Sequence, residues 1–490
     1  MSKVTNSLIH TFMGRYAFIV INLISMMTYA RLLTPEEIGV HVIAIAASAI
    51  IIELRLIGTG SYLIKLKEVR KEDTENVLFI TLCISLFLGS ILLILSEWLS
   101  SFYSTPGMSS VIEILFGTFL LTPFTAVSQS YFARTFNFKL LASINVLSAL
   151  FTFLLTVLLI KLGLSYLSLA IGVLFSQLFQ FFAHFLLKPD IVSWIPKPGN
   201  TRKILSFGSI LTVVTFINKG LESLPELMLG KALGTSASAL FSRGLGAVKF
   251  SNETVLGFVS PIVTPYLSEA KRNGEYASQA FEKATSHVTV LIIPILFSLA
   301  VVPDIAISLL FGDQWIAATK LVTVLSIVFA IKAPIEFFKN LLIVEEKEVY
   351  ILYAKLIGLP VFLISALTMG TGSLLKMALA YSFAQIIEVG VFYFVVCRCI
   401  NFNLKLHFSN QRQSYLVAIV CMSTSLLISQ ASKSLQIPQF IEAFVLALVL
   451  SLVWLAMIII LKHDITASIY QLTLKFSFLK RFKLERFFLN

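Results

Sequence analysis

Charge, cysteine and aspartate are all scarce in this 490-residue chain, and each shortage removes a class of function. Charged residues make up 13% against 57% hydrophobic, and mean hydropathy is +0.89. A water-soluble domain carries about 25% charged and about 45–50% apolar residues, so this chain has too little polar surface to coat a globule in water. It reads as a polytopic membrane protein. The 4 cysteines (Cys83, Cys397, Cys399, Cys421) sit in or beside apolar runs, and Cys397-Arg398-Cys399 has no second pair, which argues against a zinc site or a disulfide framework. Aspartates are limited to Asp73, Asp190, Asp304, Asp313 and Asp464, with no paired acidic motif on an extracytoplasmic loop, which weakens a membrane glycosyltransferase. No G-x-x-x-x-G-K-[ST] occurs, so the chain is not itself an ATPase. The first apolar run contains Arg15 and continues to Leu33 without a small-x-small cleavage site, the pattern of a first spanning helix rather than a signal peptide.

What remains is apolar length. A spanning helix needs about 20 mainly apolar residues, and the runs predict about 14 spans. These lie near residues 8–30, 39–64, 76–96, 110–130, 140–160, 164–187, 204–230, 237–264, 284–310, 318–340, 349–369, 375–396, 414–432 and 438–461. Their connections average about 13 residues, too short for a soluble catalytic domain. The longest extracytoplasmic one, residues 97–109, is shorter than a polysaccharide polymerase needs.

The net charge of +12 becomes informative once it is located. With the N-terminus inside, 24 Lys and Arg fall in cytoplasmic segments and six on the opposite side (Arg31, Lys161, Lys231, Lys320, Lys376, Lys433). That bias follows the positive-inside rule and predicts both termini in the cytoplasm. Eight bases are left within spans: Arg15, Arg55, Lys219, Arg243, Lys249, Lys332, Lys339 and Lys355. Of these and the intramembrane acids, Lys339, Lys355 and Glu388 are expected to snorkel to the interface. The other charges cost about 2.5–3.5 kcal/mol each at a helix centre and must face protein or water.

Span 7 carries the densest set. Lys219 and Glu222 are three apart and Glu222 and Glu226 four apart, so all three share a helix face, and Pro225 removes the hydrogen bond to the carbonyl of Leu221. This is either a structural ion pair or a cavity wall with a titratable carboxylate. Span 8 adds Arg243, Lys249 and Glu253, and span 2 adds Glu53 and Arg55. Basic groups at membrane depth in both halves predict a cationic cavity for an anionic ligand such as a phosphate or an acidic sugar.

An internal repeat appears at an offset near 200: Ala30-Arg31-Leu32-Leu33-Thr34 closes span 1 as Gly230-Lys231-Ala232-Leu233-Gly234 closes span 7. Six spans per copy is an even number, so the copies run parallel about an axis along the membrane normal. The organisation expected is an N-lobe over 1–187, a cytoplasmic linker over 188–203, a C-lobe over 204–396, two further helices over 397–461 and a basic amphipathic tail over 462–490. The tail spaces Ile465, Ile469, Leu472, Phe476, Leu479 and Phe482 helically among five bases, the pattern of a helix on the anionic inner leaflet rather than a nucleic-acid arm.

The runs ARLLTPEEIG (30–39), ELRLIGTGSYLI (53–64), RTFNFKL (134–140), PELMLGKALG (225–234) and LFSRG (240–244) resemble the polysaccharide-export flippases, the Wzx type of the MOP exporter superfamily, in its colanic-acid and teichuronic-acid branch. The likeness covers spans 1 to 8 through these runs and the rest through span count. It implies a MATE/MOP-like all-α fold of two six-helix lobes and two extra helices, translocating undecaprenyl-diphosphate-linked oligosaccharide across the bacterial inner membrane by alternating access. Glu226 matches the acidic position of the P-[DE]-L pattern and Arg243 the arginine of the YSR-like pattern. Members often carry Asp after the second-span arginine; here Leu56 follows Arg55, with Glu53 nearby.

The sequence therefore predicts a non-enzymatic, monomeric flippase that works beside a polysaccharide polymerase and a chain-length regulator and binds no nucleic acid. Arg15, Arg55, Lys219, Arg243 and Lys249 are expected to hold the diphosphate or acidic sugar. Glu222, Glu226 and Glu53 are the candidates for ion coupling, with H⁺ or Na⁺ as the ion and no other cofactor or metal. The alternatives are a multidrug or cation antiporter of the same superfamily and, from a different class, a membrane glycosyltransferase.

Overall fold

In lipid every backbone N–H and C=O must be satisfied within its own segment, so long apolar runs fold as helices. The computed structural model describes residues 2–54, 62–63, 66, 68–199, 204, 209–274, 276–400 and 402–467, and among them no strand occurs. The predicted spans each coincide with a helical segment: α1 Ser2–Leu32, α2 Pro35–Leu54, α3 Lys71–Ile94, α4 Met108–Arg134, α5 Phe138–Lys161, α6 Leu167–Leu187, α7 Ser209–Leu233, α8 Thr235–Arg272, α9 Ala277–Val301, α10 Asp313–Val344, α11 Val349–Thr368, α12 Leu374–Ile400, α13 Leu404–Ser434 and α14 Gln439–Ile460. Ten of these are long and apolar enough to cross a membrane. The other four, α1, α2, α7 and α8, are 31, 20, 25 and 38 residues long and carry Arg15, Glu53, the Lys219 set and the Arg243 set. The fold is that of an all-α polytopic membrane protein. The predicted tail beyond residue 467 lies outside the described residues.

Two compact units run Met1–Ser242 and Arg243–Asn490. In the first, the turn into α2 is fixed by local chemistry. Thr34 Oγ1 accepts from the Glu37 N–H at 3.3 Å while Glu37 Oε2 accepts from the Thr34 N–H at 2.8 Å, and Pro35 occupies the first helical position. Helix α1 packs on α5, and α2 packs on both α4 and α7. The approach of α2 to α7 and to the start of α8 needs small residues. A Cβ on Gly39 would lie 2.1 Å from the Thr235 carbonyl oxygen, and one on Gly230 2.6 Å from Ile43 Cδ1.

The apolar helices α4 to α6 are joined by amides and hydroxyls. Gln177 donates to Thr122 (2.9 Å), Gln129 to Gln180 (3.3 Å), and Ser148 meets Ser176 at 2.8 Å. The segment after α6 docks on α3, α4 and α6: Trp194 packs among Phe124, Phe181 and Phe185 and donates Nε1–H to Ser128, while Lys197 pairs with buried Glu75 of α3 at 3.1 Å.

In the second unit α9 is the central helix, packed on α10 and α13. Helix α10 is interrupted: its α-helical part Thr319–Lys332 gives way to a 3₁₀ turn at Ala333–Ile335 before Phe338–Val344. Pro334 causes the break, since it has no N–H to give the carbonyl of Ala330 and its ring crowds that carbonyl.

Candidate functional site

The span-7 charges lie near the middle of α7. Lys219 Nζ is 3.4 Å from Glu222 Oε2, with side chains 35% and 43% exposed. Glu226, one turn on, is half-buried, and its carbonyl accepts from Ser238 Oγ at 2.8 Å. The structure thus brings Lys219 and Glu222 together as the i, i+3 spacing predicts, on a helix that continues through Pro225. Arg15 is exposed on α1. Glu53 lies in the last turn of α2, but its side chain is outside the described residues, as is the whole of Arg55.

In the second unit the Arg243 guanidinium stands 5.9 Å from the ring centre of Trp315, which is fully buried, a cation–π contact between α8 and the start of α10. Lys249 is half-buried and Glu253 exposed on α8.

One expectation is corrected. Lys355 and Glu388 do not snorkel. Glu388 is buried on α12 and its Oε1 lies 2.6 Å from Lys355 Nζ on α11, with Lys332 Nζ of α10 at 3.8 Å. A lysine stem can reach either the interface or a neighbouring helix; a carboxylate facing it across α11–α12 makes the second choice better, because opposite charges attract strongly where water is excluded. Lys339, by contrast, is exposed.

A second charged contact gave no motif in the sequence. His407 Nδ1 of α13 lies 2.9 Å from Glu282 Oε1 of α9, and His407 Nε2 is 3.2 Å from the Tyr393 hydroxyl. Higher on the same interface Thr289 donates to Gln411 Oε1 (2.5 Å) and meets Ser414 at 3.1 Å. The one signal for these residues was polarity inside otherwise apolar helices.

Residues 28–320, more than half the chain, match the family described as "Polysaccharide biosynthesis protein". The chain belongs to this family. Among its curated relatives are the teichuronic acid biosynthesis protein TuaB of Bacillus subtilis, 20% identical over 74% of this chain and 75% of the relative, and the succinoglycan biosynthesis transport protein ExoT of Rhizobium meliloti, 25% identical over 63% of each. The lipopolysaccharide biosynthesis protein WzxC of Escherichia coli is 19% identical, also over 63% of each. Among solved structures, an inward closed lipid II flippase MurJ superposes with a TM-score of 0.74 at 16% identity, over 93% of this chain and 99% of that one. An inward-facing MATE multidrug transporter superposes at 0.59 with 15% identity, over 78% of this chain and 95% of that one. The family's polysaccharide connection thus comes with the helical fold shared by MurJ and the MATE transporters.

Proposed function

We propose that the chain is a flippase that moves an undecaprenyl-diphosphate-linked oligosaccharide, a repeat unit of O-antigen or exopolysaccharide, across the bacterial inner membrane by alternating access. The observation that carries this reading is the half-exposed Lys219–Glu222 pair near mid-helix, in a polysaccharide-biosynthesis chain with the fold of a lipid-carrier flippase. Charges at that depth and exposure are tolerable only beside water, and a water-filled route is what a polar headgroup needs. Lys219, Arg243 and Lys249, with Arg15 and Arg55, are the bases that would receive the diphosphate. Both termini would be cytoplasmic, in line with the 24-to-6 distribution of bases. A polymerase and a chain-length regulator would take the product. Transport would be coupled to H⁺ or Na⁺, with Glu222, Glu226 and Glu53 as the carboxylates.

The test of the central reading is the lipid intermediate in a deletion strain. Accumulation of the undecaprenyl-diphosphate-linked repeat unit on the inner leaflet supports a flippase; an unchanged lipid pool, or a truncated sugar, refutes it. The coupling assignment fails if Glu222→Gln and Glu226→Gln both transport normally with and without an ion gradient. The MATE fold supports a second reading, export of cationic drugs, but a surplus of intramembrane bases repels such cargo.

A further inference from the structure

Three consecutive helices of the second unit bring two lysines onto one carboxylate oxygen. Glu388, near the middle of α12, has a side chain 2% exposed; its Oε1 receives Lys355 of α11 at 2.6 Å and Lys332 of α10 at 3.8 Å. Lys332 also donates to Oε1 of Gln385, one turn before Glu388, at 2.8 Å. The other carboxylate oxygen, Oε2, is buried and makes no hydrogen bond. Space is left beside it by Gly358, where a Cβ would come to 3.6 Å of Oε2. Lys332 is the last residue of the α-helical part of α10, directly before the break at Pro334. A further charged group nearby is Glu336 on α10; α8, which abuts α10 at Gly244–Leu321 and Thr264–Asn340, carries Lys249 and Glu253, the latter exposed. Helix α9, also packed on α10, has no ionisable side chain after His287.

A structural ion pair needs one lysine for one carboxylate. A second ammonium on the same oxygen repels the first, and that repulsion is little screened where water is excluded. Lysine, unlike arginine, can relieve it by giving up its proton.

We propose that Lys332, Lys355 and Glu388 form a proton-binding site within the membrane, at which Lys332 exchanges one proton while Lys355 stays paired with Glu388. The step is R–NH₃⁺ ⇌ R–NH₂ + H⁺ at Lys332 Nζ. Lys332 is the exchanging group because its contact with Glu388 is the longer one and its side chain is 22% exposed against 12% for Lys355. The neutral amine still donates to Gln385, so the contact survives and the charge alone changes. That charge sits at the junction of the two halves of α10, where it biases one packing of the broken helix against another. The ligand is a proton rather than a metal cation, since two ammonium groups around Oε1 repel any cation approaching it. The site rests on the flippase reading solely for what the proton drives.

The test uses the full-length protein in lipid nanodiscs, with amide hydrogen exchange followed at acidic, neutral and alkaline pH after correction for intrinsic rates. In the unsubstituted protein, protection of residues 333–344 and of the facing turns of α11 and α12 is expected to change several-fold with pH. K332R, which keeps the charge and cannot release it, is expected to hold the acidic pattern throughout, and K332Q the alkaline one. A pH-independent pattern in the unsubstituted protein, or an unaltered pH response in K332R, overturns the proposal and leaves a fixed ion pair. In cells, loss of surface polysaccharide in K332R at a normal membrane level ties the site to transport. Normal polysaccharide in a K332R protein whose exchange is locked overturns that tie, and the proton site stands apart from the flippase reading.

Discussion

His407 Nδ1 of α13 lies 2.9 Å from Glu282 Oε1 of α9, inside a shell of Phe281, Phe338 and Phe402. A carboxylate taken this far out of water depends on its donors, here His407 and Asn410, the latter at 3.2 Å. His407→Phe fills the aromatic shell but leaves Glu282 with one donor fewer, at an expected cost of about 1.5–3 kcal/mol for a hydrogen bond to a charged group. The thermal unfolding midpoint in detergent should fall, and His407→Phe combined with Glu282→Leu should recover most of the loss. A single substitution that leaves the midpoint unchanged would show that the pair contributes nothing.

The closeness of α2 to the α7–α8 turn makes a ranked prediction. A Cβ at Gly39 meets backbone, the Thr235 carbonyl oxygen at 2.1 Å, whereas one at Gly230 meets the tip of a flexible side chain, Ile43 Cδ1 at 2.6 Å. Gly39→Ala should therefore destabilise by about 1–3 kcal/mol, the usual cost of overpacking, and Gly230→Ala by less. Thermal midpoints of the two purified variants read the order; equal midpoints would contradict it.

Neutralising Lys219 and Arg243 together, as Lys219→Gln with Arg243→Gln, should abolish surface polysaccharide without removing the protein from the membrane. If each base binds the diphosphate through a charge-assisted hydrogen bond worth about 1.5–3 kcal/mol, each single variant should weaken transport by at least about tenfold. A normal polysaccharide ladder in the double variant would refute the cationic site.

Acid sensitivity is expected beyond the end of α14. His463 is fully buried there; its Nδ1 accepts from the Ile465 N–H at 3.2 Å, and its Nε2 meets the Ser286 hydroxyl at 3.2 Å. Burial holds its pKa below the ordinary histidine value, against the opposing pull of Asp464. A folded pKa below the unfolded one, about 6.5, gives stability that is complete above that value and lost as pH falls through the folded pKa. Protonating Nδ1 also removes the acceptor for Ile465. Thermal midpoints measured below neutral pH should drop more steeply for the unsubstituted protein than for His463→Gln, which does not titrate; parallel curves would exclude His463 as the cause.

The sequence by itself determined the class of this protein and the position of its helical segments. Lipid imposes its demand on each segment separately: about 20 apolar residues and a self-satisfied backbone. That is why α3 and α14 were legible without knowing their neighbours, and why the bases sort by loop. The Lys219–Glu222 pair was legible for the same reason, since a three-residue spacing is a local property of one helix. Only the tertiary structure decided which distant charges meet. Lys355 and Glu388 are 33 residues apart and Glu282 and His407 are 125 apart, and nothing in either local sequence says which face of α11 or α13 turns inward. Packing settles that choice, because a buried charge is tolerable only where another helix presents its partner.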